Sequence, residues 1–93
     1  MNMEIQGNIK VKGKVQGVWF RAFTKEKAEE LGLTGWVQNQ PGGSVYLKVK
    51  GKKETIEKLI SDLEHGPKRS HVEYVNVEWN SPEHAWSKFE IRY

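Results

Sequence analysis

No cysteine occurs in the chain. That excludes a disulfide framework, zinc held by thiolates and a phosphatase nucleophile of the cysteine type, and it fits a reducing compartment. The opening MNMEIQGNIKVKG lacks the apolar core of a signal peptide. The longest uncharged run, Leu31 to Leu47, is broken by Gly, Gln, Asn and Pro, so it is no membrane span. Linkers, repeats and low-complexity segments are missing too, which points to a single domain over residues 1–93. A net charge of +3 is compatible with a small anionic ligand and too weak to argue for nucleic acid by itself. What is present is the composition of an ordinary soluble globular protein, 37% hydrophobic and 29% charged, with a modest core.

Periodicity supplies the elements. NIKVKGKV alternates Ile9, Val11 and Val15 against Lys10, Lys12 and Lys14, a strand with one buried face. In FRAFTKEKAEELGL, Phe20, Phe23, Ala28 and Leu31 form a helical stripe, and Gly32 is placed as a stop. GWVQNQPGGSVYLKV reads as a hairpin turning at Pro41-Gly42-Gly43, with Val45, Leu47 and Val49 on one face of its second arm. KETIEKLISDLEHGP is a helix, with Ile56, Leu59, Ile60 and Leu63 on one side and Gly66-Pro67 at its end. HVEYVNVEW gives a fourth strand with Val75, Val77 and Trp79 on one face. KFEIRY gives a short fifth whose attachment the pattern leaves open.

The order βαββαβ plus a terminal strand predicts an α+β, ferredoxin-like sandwich: a sheet of mixed direction with both helices on one face. A helix crossover joins strands one and two, so they run parallel, with strand three between them. At about 4.8 Å per strand, their C-terminal ends lie on the order of 10 Å apart on one edge. Arg21 follows the first end and Asn39 closes the second, so both can reach one small object.

The stretch VQGVWFR opens the first helix without the Ser, Thr, Asp or Asn that usually caps one. It also sets Arg21 in the first turn, against the helix dipole. Gly13 and Gly17 permit a nest of inward-turned N–H groups, and the uncapped helix start adds its own donors. A phosphate there would meet several N–H groups and a bidentate guanidinium. The alternative is a tight turn beside an exposed arginine. Asn39 is either a polar residue before a hairpin or a carboxamide that holds a water in a fixed direction. The corner offers no acid-rich metal cluster, no Walker loop and no paired histidines; His65, His71 and His84 are scattered. A phosphate monoester would want a nucleophile, an acid or metals. An acyl phosphate releases a carboxylate of pKa about 4.3, which leaves unprotonated, so positioning and charge stabilisation can suffice.

GKVQGVWFR (Gly13–Arg21) followed by LGLTGWVQN (Leu31–Asn39) resembles the acylphosphatase family. The similarity extends through GGSV, the second helix ending in GP, VNVEW and the closing FEI, nearly the whole chain. The resemblance implies a ferredoxin-like fold and hydrolysis of acyl phosphates to a carboxylate and inorganic phosphate, without metal or other cofactor. By it, Arg21 binds the phosphoryl group. The backbone N–H groups of Gln16, Gly17, Val18, Trp19, Phe20 and Arg21 form the cradle, and Asn39 orients the attacking water. The proton acceptor is then the substrate itself. The family often carries Asp-Gly in the hairpin where Gly42-Gly43 stands, which touches local stability more than activity. Trp19 either covers the pocket mouth or packs on the sheet. The expected partner is a small acyl phosphate, with no nucleic acid and no membrane, for a free-standing cytoplasmic monomer.

Three rival readings stand beside this one. An RNA-binding module would use Lys10, Lys12, Lys48 and Lys50 on the open sheet face, but only Tyr46 on strand three offers an exposed ring there; Glu73 or Glu78 is expected to balance the lysines. A domain of a larger protein, as in a hydrogenase maturation factor, keeps the fold. An inactive relative would lack Arg21 or Asn39, and both are present.

Overall fold

In the computed structural model, which describes residues 3–93, the alternating apolar pattern closes into one five-stranded sheet. Met1 and Asn2, the start of the expected domain, lie outside the described residues. Strand β1 (Ile5–Lys14) pairs antiparallel with β3 (Val45–Gly51) on one side and β4 (His71–Asn80) on the other. Strand β2 (Thr34–Asn39) runs antiparallel to β3. Register follows the apolar residues: Ile9 faces Leu47, Val11 faces Val45, and Val37 faces Leu47. The short β5 (Phe89–Arg92) attaches to the outer edge of β2 and runs parallel to it, with Ile91 opposite Val37. The order is β4-β1-β3-β2-β5, the ferredoxin-like arrangement with an added edge strand.

Helices α1 (Phe20–Glu30) and α2 (Lys53–His65) pack together on one face of the sheet. Between them and the strands lie Ile9, Val11, Val37, Leu47, Phe20, Ile56, Leu59 and Leu63, all buried. Helix α2 matches its expected stripe, with Ile60 at the margin of the core. Helix α1 differs. Phe23 and Leu31 sit at the margin, and the buried line is Phe20, Thr24 and Ala28. Thr24 is tolerated because its hydroxyl donates to the Phe20 carbonyl at 2.9 Å, which satisfies the polar group inside the helix. On the edge strand β4, Val75 and Trp79 pack on the core as expected, and Val77 is partly exposed.

Strand β1 bends just before the loop that leads to α1. Its register with β4 shifts between Lys12 and Gly13. Gly13 has φ +132, and a Cβ there would lie 2.1 Å from the His71 carbonyl oxygen. Such a bulge re-aims the chain, and here it steers Lys14 and Val15 toward the rim of the sheet.

The face away from the helices is not open across its width. Strands β4 and β5 lie on opposite edges, so the segment 81–88 must cross the sheet. It is tied down at Glu83. The Gln6 amide of β1 donates to the Glu83 carboxylate at 2.6 Å and accepts from the Glu83 N–H at 2.9 Å. Lys48 of β3 pairs with the same carboxylate at 3.2 Å. Further along, His84 and Trp86 close a cleft with Trp36, Lys48 and Arg92. Gln6, on the outward face of a strand, is thereby fully buried. The charge balance differs from the sequence expectation. Lys48 is paired by Glu83 of the strap and Lys50 by Glu4 (3.6 Å), just before β1, rather than by Glu73 or Glu78, because these stand on β4, which is not a neighbour of β3.

The Gln6 amide first, and the Lys48 ammonium next, hold the Glu83 carboxyl below the usual carboxylate range. A carboxyl whose pKa is depressed by folding stabilises the protein above its unfolded value, near 4.3, and loses that contribution as pH falls through the folded value. Glu83→Ala should therefore destabilise the protein more near pH 7 than near pH 3, as read from urea midpoints at the two pH values. Equal losses at both would show that the strap is held without this charge.

Candidate active site

Because β1 and β2 both run antiparallel to β3, their C-terminal ends share one rim, and β5, parallel to β2, ends there too. At this rim a cavity of about 170 Å³ is lined by Val15, Gly17, Trp19, Phe20, Arg21, Ala22, Asn39, Ile91 and Tyr93. Arg21 and Asn39, from separate elements, thus face one space.

The loop into α1 is built to leave donors free. Gly17 (φ 71) and Trp19 (φ 69) both take the left-handed conformation, with Val18 between them packed against the core. Trp19 stands at the N-cap position and makes no side-chain capping bond. The first intrahelical bond runs from the Phe23 N–H to the Trp19 carbonyl at 3.0 Å. The N–H groups of Phe20, Arg21 and Ala22 therefore have no acceptor within the helix. No acidic side chain occupies the first turn. Phe20 turns inward and is buried, which anchors the start of the helix to the core.

Arg21 is half-buried, and its guanidinium is held from one side. Nη1 donates to the Arg92 carbonyl at 3.3 Å, and the guanidinium carbon lies 4.7 Å from the centre of the Tyr93 ring. Among the described residues, no carboxylate lies within ion-pair distance of it. Asn39 closes β2 opposite Val45, and its Oδ1 is buried without a hydrogen-bond partner. Leaving such an atom unpaired costs about 1–3 kcal/mol, so this polar group does not serve the packing.

The side chain of Gln16 connects the two halves of the rim. Its Nε2 donates to the carbonyls of Gln40 (2.9 Å) and Ser44 (2.8 Å), at the two ends of the β2–β3 turn. The same turn is closed by the Gln40 N–H on the Ser44 carbonyl at 2.9 Å. The loop before α1 is thus bolted to the hairpin that carries Asn39.

A family model for acylphosphatase matches residues 7–91. The chain belongs to the acylphosphatase family. An acylphosphatase of Salinibacter ruber is 41% identical over 83 residues, which span 89% of this chain and 87% of that protein. The crystal structure of the acylphosphatase from Bacillus subtilis superposes with a TM-score of 0.92 at 30% identity, over 96% of this chain and 99% of that one. An acylphosphatase structure from Coxiella burnetii gives 0.89 at 42% identity, over 96% and 93% of the two chains. The match thus spans nearly the whole chain, in sequence for the first relative and in fold for the two solved structures.

The sequence reading named Gln16, Gly17, Val18, Trp19, Phe20, Arg21 and Asn39. Of these, Gly17, Trp19, Phe20, Arg21 and Asn39 line the cavity; Gln16 and Val18 support it from behind. The reading missed the side chain of Gln16, whose acceptors lie 24 and 28 residues away. It also missed Arg92 and Tyr93, because no local pattern says which edge the last strand joins.

Gln16→Ala removes two bonds worth about 0.5–1.5 kcal/mol each. It should lower stability by about 1–2 kcal/mol. A misplacement of about 1 Å can cost on the order of a hundredfold in rate, so kcat/KM should fall at least several-fold. Denaturant melts and initial rates measure the two losses; a variant unchanged in both would show that the backbone alone holds the loop.

Proposed function

We propose that this acylphosphatase hydrolyses small acyl phosphates at the rim cavity by positioning and charge stabilisation. The observation that carries the reading is the convergence of an uncapped helix start, one arginine without a carboxylate partner and one carboxamide with an unpaired oxygen on a single cavity. Its volume of about 170 Å³ compares with about 30 Å³ per water molecule in the liquid. There is room for a phosphoryl group and a water beside it.

In this reading the N–H groups from Gln16 to Arg21 receive the phosphoryl oxygens, and Arg21 binds two of them. Arg92 and Tyr93 hold the guanidinium toward the cavity without neutralising it. Asn39 holds the attacking water through its carboxamide and so fixes its direction. The water oxygen forms a bond to phosphorus while the bond from phosphorus to the carboxyl oxygen breaks. The electron pair leaves with the carboxylate, and the proton of the water passes to a phosphoryl oxygen of the substrate. Charge that builds on the phosphoryl oxygens meets fixed donors, which need no reorganisation. No metal or other cofactor takes part in this scheme. A cytoplasmic monomer is part of the reading; the cysteine-free chain suits a reducing compartment. Nucleic acid is not a partner in it, since the strap at 81–88 lies over the aromatic side of the sheet.

Purified protein should hydrolyse acetyl phosphate or benzoyl phosphate in the presence of a chelator. Removing one fixed donor from a developing oxyanion costs about 10²–10³-fold. Arg21→Ala should lose that much in kcat/KM, with weaker competition by inorganic phosphate. Asn39→Ala should lose a similar factor in kcat with a smaller change in phosphate binding. Wild-type rates in both variants would refute the assignment, and loss of the wild-type activity with chelator would refute the metal-free scheme.

A further inference from the structure

The rim cavity is lined by polar groups and by two exposed aromatic rings. Arg21 and Asn39 supply its polar side chains, and Asn39 Oδ1 is buried without a partner. Trp19 is 60% exposed and Tyr93 is 91% exposed, yet both line the same space. Neither ring does much for the core. Trp19 in addition occupies a left-handed backbone conformation (φ 69, ψ 15) that residues with a bulky side chain rarely adopt. A glycine would sit there without strain. The fold bears the cost of an indole at this point and recovers little from its burial, and strain of that kind concentrates at functional sites.

The substrate chemistry gives the ring something to do. With the phosphoryl group in the cradle, the rest of an acyl phosphate must leave through the opening. There it meets the indole of Trp19 and the phenol ring of Tyr93. Arg21 is the one charged residue among those lining the cavity, and it is already committed to the phosphoryl end. An acyl group with a second negative charge finds no further cation in that lining. A flat, uncharged ring finds two aromatic faces. Resting on the reading above, we propose that Trp19 and Tyr93 form the acyl-group subsite of this enzyme and select aromatic, uncharged acyl phosphates over acetyl phosphate.

The test compares kcat/KM for benzoyl phosphate and acetyl phosphate, with chelator, in wild type, Trp19→Gly, Trp19→Phe and Tyr93→Ala. Glycine relieves the left-handed backbone, and circular dichroism checks that the variant is folded. Contacts between aromatic rings are worth up to about a tenfold factor. The benzoyl-to-acetyl ratio should fall by about that much in Trp19→Gly and by about threefold in Tyr93→Ala, and it should recover most of the loss in Trp19→Phe. Inorganic phosphate has no acyl group, so its inhibition constant should move less than the ratio does. A ratio within twofold of wild type in all three variants would overturn the subsite. So would a phosphate inhibition constant that shifts as far as the ratio, because the indole would then act on the cradle. In both cases wild type still hydrolyses the two substrates, and the proposed reaction stands. A wild type that hydrolyses neither overturns the reaction, and the subsite with it.

Discussion

The site depends on the antiparallel pairing of β3 with both of its neighbours. That pairing makes β1 and β2 parallel, so two loops distant in sequence emerge on the same rim. Its strength is hydrophobic. Val45, Leu47 and Val49 alternate with Tyr46, Lys48 and Lys50, and a slip of one residue would turn the three apolar side chains out of the core. Register and site geometry are therefore set by the same residues. Arg21 and Asn39 come to one cavity because Ile9 meets Leu47 and Leu47 meets Val37.

Against that firm base, the rim itself breaks local rules. The α1 start is uncapped, a tryptophan sits at positive φ, a guanidinium stands in the first helical turn, and a carboxamide oxygen is buried unpaired. Each feature alone is a modest liability of about 1 kcal/mol or somewhat more. Their concentration around one cavity is what separates a site from scattered imperfections, since departures from local consistency collect where function requires them. The liabilities are contained by anchors one step behind: Phe20 in the core, Gln16 on the hairpin, and Arg92 beneath the guanidinium.

Much of this was legible in the residues. Alternation and helical spacing located the strands and helices. Crossover logic then put strands one and two in parallel, and the missing cap at VQGVWFR drew attention to the cradle. The illegible part consists of contacts with no local signal. Gln16 looks like any loop glutamine until the Ser44 carbonyl arrives from across the fold. Glu83 looks like a solvated carboxylate until the strap lays it on Gln6 and Lys48. Thr24 reads as polar, and is buried because its own helix supplies the acceptor. The attachment of β5 was undecidable because its two inward residues, Phe89 and Ile91, fit either edge of an apolar sheet face.

The crossing segment has a consequence for the order of assembly. It joins Gln6 to Glu83 across 77 residues, and only beyond it does β5 dock on β2. Contacts of such separation are slow to form, because chain entropy is lost before they return any energy. The loop before α1, the hairpin and both helices all precede Arg92 in the sequence. Arg21 at the candidate site is thus steadied by contacts from residues at the far end of the sequence, so the rim cavity is complete only when β5 is in place.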